Sequence, residues 1–576
     1  MPACFVVCLV MILCRQAQAA QEASAASALA SVHGVVRNAA TGEPLPRALV
    51  QIEGDAETGA LTDGDGRFEI ANVPVGQQAV EVRKPGFRDR AYAAGEEGMD
   101  QAISPPHNVL VAAEMPDLVF TLSPTGAIQG QVQLSSGDPA QGIIVELVRR
   151  TIEDGRAIWQ AGGSTKTNRD GVYRFASLAE GVYDLYTDPA MENDEASTLV
   201  EPGHGSKVER EGYASAYYPD ARDQSGAGRV SLRPGEQAQA NLTLTLEPFY
   251  AITATAVPPA SSSLSAKDRA GINYSALVMD TAGRQLPYHA QFDPESHTIQ
   301  ALLPNGNYSL LVSSVPVPFS IDGVGLNGSP STIRENPAPM VGTAEFTVDG
   351  KAVANLTVPL TAPQPNPVQL TVPRSETAPV ASQNGTMLVI VSLAGGWVDD
   401  GMVREYANGN ALGPLRTVFT MPGAYWVHTH VARGFCEASF TAGGANLARE
   451  PVIIGLSGST APMDLTVRND CAHLNLSLPK NLYAFDAGEE PYYTVYVVPD
   501  FDSTVDVEPR TLRPSTGGAV TMDDLTPGSY HVYTFNAPVR LEYRNPAALA
   551  ALPNPGQSVT LSPGVTSDLV LEAPAQ

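Results

Sequence analysis

A short block recurs along the chain: a tight turn, then Gly-x-Tyr, then alternating residues. Its copies are "LAEGVYDLYT" (178–187), "LLPNGNYSLLV" (302–312), "TMPGAYWVHTH" (420–430) and "LTPGSYHVYTF" (525–535). A weaker copy, "VPVGQQAVEV" (73–82), carries Gln78 where the others have tyrosine. The shared glycines are Gly76, Gly181, Gly306, Gly423 and Gly528, separated by 105, 125, 117 and 105 residues. That spacing matches a small β-sandwich and is far above the roughly 20–50 residues of a solenoid repeat. A chain of 576 residues also exceeds what one hydrophobic core organises. Five units therefore fill it from residue 31 onward.

The first two units align closely. "GEPLPRALVQI" (42–52) matches "GDPAQGIIVEL" (137–147), with apolar residues at the same alternate positions. Alternation at period two buries one strand face. "TDGDGRFEIANVPVG" (62–76) matches "TNRDGVYRFASLAEG" (167–181) without a gap. Between these blocks the second unit carries ten extra residues around "TIEDGRAIWQAGG", which fits a hairpin tip, where added length costs little. In the fifth unit, Gly518 stands ten residues before Gly528, as Gly171 stands before Gly181. Asp-Gly before an alternating run marks a tight turn with positive φ. The tyrosine is expected to cover the open end of each core, its hydroxyl reaching water or backbone.

A second block closes the units: "VSLRPGEQAQANLTLTL" (230–246), "FTVDGKAVANLTVPL" (346–360), "VTLSPGVTSDLVLE" (559–572) and, more loosely, "LSGSTAPMDLTV" (456–467). Each reads as strand, turn, polar stretch and strand. Helical periodicity is nearly absent; "AALAALPNP" (547–555) allows one or two helical turns.

The stretches "VHGVVRNAATGEPLPRALVQIEG" (32–54) and "ALTDGDGRFEIANVPVGQQAVEVRKPGF" (60–87) closely resemble the carboxypeptidase regulatory-like domain. The resemblance is good in the second unit and partial in the fifth. In the third and fourth it rests on the turn and closing blocks. "YASAYYPDARDQ" (213–224) also looks like a segment of large secreted bacterial proteins that carry this domain in tandem. The resemblance implies a transthyretin-like sandwich, of the kind grouped with carbohydrate-binding-like folds. It implies a non-catalytic accessory or binding module and brings no substrate with it.

The expected fold class is all-β, a tandem array of about five transthyretin-like or Ig-like β-sandwich domains. The expected boundaries are 31–123, 124–248, 249–362, 363–469 and 470–576, after a signal peptide at 1–19. Residues 3–14 form an apolar run too short to span a bilayer, and Ala17-Gln18-Ala19 is an A-x-A cleavage pattern. The run departs from the usual pattern in having no Lys or Arg before it; Arg15 follows it. A lipoprotein reading would use Cys14, but Leu13 stands where a small residue is expected. The mature protein is expected to begin near Ala20, to hold no transmembrane segment, and to be periplasmic, extracellular or attached to the outer surface. It keeps two cysteines, Cys436 and Cys471. In an exported protein such a pair most simply forms one disulfide, the alternative being two buried thiols. The net charge of −26 argues against nucleic acid as a partner.

No enzyme is expected. Zinc carboxypeptidases use His-x-x-Glu and a distant His, and none of the nine histidines has Glu at the third following position. His-Glu-x-x-His, the Gly-x-Ser-x-Gly elbow and the phosphate loop are missing too. "GLSGS" (455–459) ends in Ser459 where the elbow has Gly. His428 and His430 share a strand face, but no third ligand is evident, so they read as polar residues on the solvent side. Asp63 and Asp65 read as a hairpin turn, since the rest of a calcium loop is missing. No catalytic residue, metal site or cofactor is assigned. Trp159 in the inserted segment, with Tyr213, Tyr217 and Tyr218 in another loop of the second unit, forms the candidate ligand platform. The alternative is that these aromatics pack on their own sandwich. Trp397 is the one tryptophan given no role, and Trp426 reads as packed between domains. The sequence thus points to a binding protein for polysaccharide or an envelope protein, or else to a structural spacer.

Overall fold

Strands that alternate apolar and polar residues bury their inner faces by pairing two sheets. The computed structural model describes residues 28–55, 58–89, 107–192, 209–259, 272–314, 340–362, 366–371, 388–393, 415–417, 422–431, 433–455, 460–482 and 487–572. The expected signal peptide and Trp397 lie outside the described residues. The described residues form an all-β tandem array of sandwiches.

One strand plan recurs five times. Each unit has an opening strand: Leu29–Asn38, Gly126–Leu134, Leu246–Val257, Asn366–Thr371 and Ala472–Ser477. A late strand of the same unit runs parallel beside it: Leu118–Pro124, Leu242–Leu244, Val353–Pro359, Met463–Arg468 and Thr566–Val570. An antiparallel neighbour takes the other edge, as Arg67–Pro74 does in the first unit and Ala519–Leu525 in the fifth. The second sheet is centred on the strand after the recurring turn: Gly76–Arg83, Gly181–Thr187, Gly306–Ser313, Gly423–His430 or Gly528–Phe535. Each has an antiparallel partner on both sides. The first repeated block therefore starts the centre of one sheet, and the closing block seals the other. Each unit has its own buried cluster, such as Val36 with Phe120 in the first and Leu474 with Val532 in the fifth.

The recurring tyrosine acts as a clip. The buried Tyr183, Tyr308 and Tyr530 donate their hydroxyls to carbonyls four residues earlier: Ala179 at 2.7 Å, Pro304 at 3.0 Å and Thr526 at 2.6 Å. Each ring fills the core while its hydroxyl ties down the turn before its strand. Gln78 does the same in the first unit, its amide donating to the Pro74 carbonyl at 3.0 Å. The preceding hairpins are also held locally. Asp63 Oδ1 accepts from the N–H of Asp65 and Arg67, and Asn168 Oδ1 from those of Asp170 and Val172. The short helix is Pro546–Ala550, capped by Asn545, whose side chain accepts from the N–H of Ala547 and Ala548.

The third unit departs from the plan. Gln285–Asp293 pairs with Ser275–Met279 and with Thr298–Leu303, joining the two sheets into one nine-stranded sheet. That sheet also takes in Ala190–Met191 and Glu209–Tyr213, which precede the boundary expected at residue 248. An open strand edge presents unpaired N–H and C=O groups, and a strand within reach satisfies them. Tyr213, expected in a loop, instead ends the strand Glu209–Tyr213; EREGY has no apolar alternation to signal a strand, and the open edge of Leu246–Val257 draws it into the sheet.

Candidate functional site

The four aromatics of the expected platform do not share one exposed face. The ten-residue extension lengthens a hairpin, Ile144–Glu153 with Arg156–Lys166, and Trp159 lies on its edge strand opposite Arg150. Trp159 is half-buried, with the Arg229 guanidinium 5.6 Å from its ring centre. Tyr213 ends a strand of the third unit's sheet, opposite Leu246. Tyr217 is 5 % exposed and stacks on Tyr186, centroids 5.3 Å apart, so it offers no free face to a sugar. Tyr213 and Tyr218 pack, partly buried, on the core of the second unit. The sequence shows aromatic residues near one another; burial decides which faces remain available.

The tip of the same hairpin carries a denser set of contacts. Asp154 and Gly155 form the turn, at φ 48° and 69°. Asp-Gly suits this geometry, because both turn positions are left-handed. The tip lies against the fourth and fifth units. The Arg544 N–H donates to the Gly155 carbonyl at 3.0 Å, and its guanidinium donates to the carbonyls of Asp154, Ser503 and Val505. Arg150 pairs with Glu542 at 2.8 Å. The Arg156 guanidinium lies 3.7 Å from the centre of the Trp426 ring, close enough for a cation–π contact, and donates to the Ala448 carbonyl.

The surface that receives the tip is itself tied together. Cys436 and Cys471 form a disulfide, Cα atoms 5.8 Å apart, where the fourth unit meets the fifth. Buried Glu437 accepts hydrogen bonds from the hydroxyls of Thr429 and Thr504 and from the Thr504 N–H. Asp502 pairs with Arg449 and accepts from Asn446.

Three titratable groups meet at this junction. Donor atoms of Asp154, His428 and Asp506 all lie within 4.8 Å of one another. His428 was expected on the solvent face, yet it is 2 % exposed, because the hairpin tip and the fifth unit cover its strand. Its Nε2 is 3.2 Å from Asp154 Oδ2. The Tyr543 hydroxyl donates to Asp506 Oδ1 at 2.8 Å. Burial pushes the Asp154 carboxyl up to about 6; Asp506 and Glu153 add to the shift, and Arg544 and Arg156 oppose it. The side chain of His430 lies outside the described residues.

A second contact joins the first unit to the fifth. Gly488–Glu489 adds a short strand to the edge of His107–Val111. His107 Nδ1 bonds Glu489 Oε1 and its Nε2 bonds Asp89 Oδ2, both at 2.6 Å. Burial works against a charged ring, but the hydrogen bonds to Asp89 and Glu489 outweigh it and raise His107 to about 10. It is an imidazolium clamped between two carboxylates. Sequence reasoning missed Asp154, Asp506, His107 and Glu489. The Asp-Gly pair in the extension signalled a turn, but nothing local signalled its neighbours.

Residues 31–111 match the carboxypeptidase regulatory-like domain family. No curated protein matches the chain. Similar solved structures include the Bacillus anthracis TIE protein, 13 % identical over 77 % of this chain and 69 % of that one, with a TM-score of 0.15. A streptococcal ancillary pilin is 12 % identical over 57 % of this chain and 98 % of its own, with a TM-score of 0.18. Two B repeat units of the collagen binding protein of Staphylococcus aureus are 10 % identical over 71 % of this chain and 93 % of theirs, with a TM-score of 0.13. Overlaps this loose do not bear on function. The match assigns residues 31–111, within the first sandwich, to a carboxypeptidase regulatory-like domain.

Proposed function

We propose that the chain is an exported, non-catalytic binding protein of the cell envelope, whose sandwiches are braced against one another to present a fixed surface to an envelope partner. One observation carries this reading: the first and second units each contact the fifth through dedicated elements, the Gly488–Glu489 strand pairing and the Asp154–Gly155 tip. Such ties fix the relative placement of loops and sheet edges, where recognition residues sit on sandwich scaffolds. Among the described residues, no helix is long and apolar enough to cross a membrane. The leader pattern and the disulfide fit an oxidising compartment.

Cross-linking of acidic side chains in residues 20–576, read by mass spectrometry, tests the bracing. Links from the first unit and from the 144–166 hairpin to the fifth unit are expected. Links confined to neighbouring units would overturn it in favour of a flexible string.

Polysaccharide binding is the second reading. Trp159 favours it, being half-buried on an edge strand whose residues 160–164 are exposed. Retention on an insoluble polysaccharide that is lost in Trp159→Ala supports it. Equal retention by that variant removes Trp159 from the site.

A further inference from the structure

We propose that Asp154, His428 and Asp506 bind a divalent transition-metal cation that staples the second, fourth and fifth units together. Each unit supplies one ligand: the hairpin tip gives Asp154, the strand Gly423–His430 gives His428, and the chain between Tyr493–Pro499 and Arg510–Leu512 gives Asp506. Their donor atoms already lie within 4.8 Å of one another, so a small contraction brings them around one ion. One imidazole nitrogen and two carboxylate oxygens form a borderline donor set. It suits zinc or manganese better than calcium, which prefers all-oxygen shells of six to eight ligands.

The Arg544 and Arg156 guanidiniums offset part of the Asp154 charge, but their described hydrogen bonds go to backbone carbonyls and leave the carboxylate oxygens to the cluster. The described hydrogen bonds of the Arg544 guanidinium go to the carbonyls of Asp154, Ser503 and Val505, not to either carboxylate. They fix the hairpin tip through its backbone and leave the Asp154 side chain directed at the cluster. The Arg156 guanidinium lies over Trp426. The Tyr543 hydroxyl holds Asp506 by one oxygen, as outer partners commonly orient metal-binding carboxylates. The left-handed turn at Asp154 and Gly155 sets the direction of the first ligand. Two carboxylates this close repel one another, and a divalent cation relieves that repulsion while linking three separately folded cores.

The inference rests on the docked hairpin of the bracing reading, and the test separates the two. Residues 20–576 are stripped with a chelator and dialysed against Zn²⁺, Mn²⁺ or Ca²⁺, with bound metal quantified. One equivalent of Zn²⁺ or Mn²⁺ is expected, with little Ca²⁺ and a higher melting temperature. Asp154→Asn and Asp506→Asn, which keep side-chain shape, are expected to weaken binding at least tenfold. With Co²⁺, one paramagnetically shifted imidazole resonance is expected, and it is lost in His428→Ala. No bound metal while the hairpin-to-fifth-unit cross-links persist overturns the metal site alone. Unchanged affinity in both Asn variants, or no shifted imidazole, also overturns it. Loss of the cross-links in the wild-type chain overturns the bracing and the metal site together.

Discussion

The first unit meets the fifth through a sheet edge, His107–Val111 beside Gly488–Glu489; the second meets it through a hairpin tip. The edge contact is short and centred on one charged histidine between two carboxylates. The tip contact is broad and uses backbone carbonyls, a buried glycine and an arginine on tryptophan. The corresponding hairpin of the first unit, Leu49–Ile52 with Gly59–Leu61, is far shorter. One strand plan thus supports two kinds of joint: ten added residues reach a new neighbour without changing the sandwich that carries them.

The strongest way to break the comparison is to loosen the surface that receives the tip. Replacing Cys436 and Cys471 by alanine opens a loop of sequence separation 35 and should destabilise the fourth unit by about 4 kcal/mol. Thermal unfolding should show this, and the hairpin cross-links should weaken while those to the first unit remain.

Alkaline pH should separate the joints from the other side. The folded-state value of His107 is about 10 against an ordinary 6.5. Its stabilisation is therefore complete below 6.5 and is lost as pH rises through 10. With partial screening at the more exposed Glu489, the loss is on the order of 3 kcal/mol. Asp154, raised to about 6, shifts the other way: its unfavourable contribution grows from pH 3.8 and is complete above 6, before that window opens. Amide hydrogen exchange, compared between pH 6.5 and pH 9, should show the Gly488–Glu489 pairing losing protection; the 144–166 hairpin should keep its protection there, because burial and Arg544 lower Arg156 only to about 10. His107→Gln should abolish the pH dependence.

Two glycines sharpen the contrast. A Cβ on Gly155 would lie 2.6 Å from the Tyr543 ring, at φ 69°. Gly155→Ala should cost about 2–3 kcal/mol, the sum of left-handed strain and overpacking. Gly54 has φ 81° but nothing within 4 Å, so Gly54→Ala should cost about 1 kcal/mol. Equal melting shifts for the two would remove the docked tip. The smallest effect belongs to the clip. Tyr183→Phe should cost about 1 kcal/mol, because it removes a buried hydrogen bond, while Gln78→Ala should cost a few tenths at its more open position. Chemical denaturation of each variant checks this.

The repeat alone determined most of the fold. The turn at Gly181, the alternation after it and the closing block are local demands of φ and of a buried strand face, so residues close in sequence are enough to state them. The tyrosine's place at the end of the core followed from the same logic; its partner four residues back did not. The extension around Asp154 was legible as a hairpin tip for the same local reason. What it touches was not. An Asp-Gly turn looks the same whether it ends in water or beside His428 and Asp506, because those neighbours come from two other units. The platform reading met the same limit: Tyr217 is aromatic in sequence, but only its stack on Tyr186 shows that its face is closed. Joining Gln285–Asp293 to both sheets of the third unit likewise depended on which edges came within hydrogen-bonding reach. Local geometry is written residue by residue; contacts between separately folded cores are set by shape and charge that only the packed chain brings together.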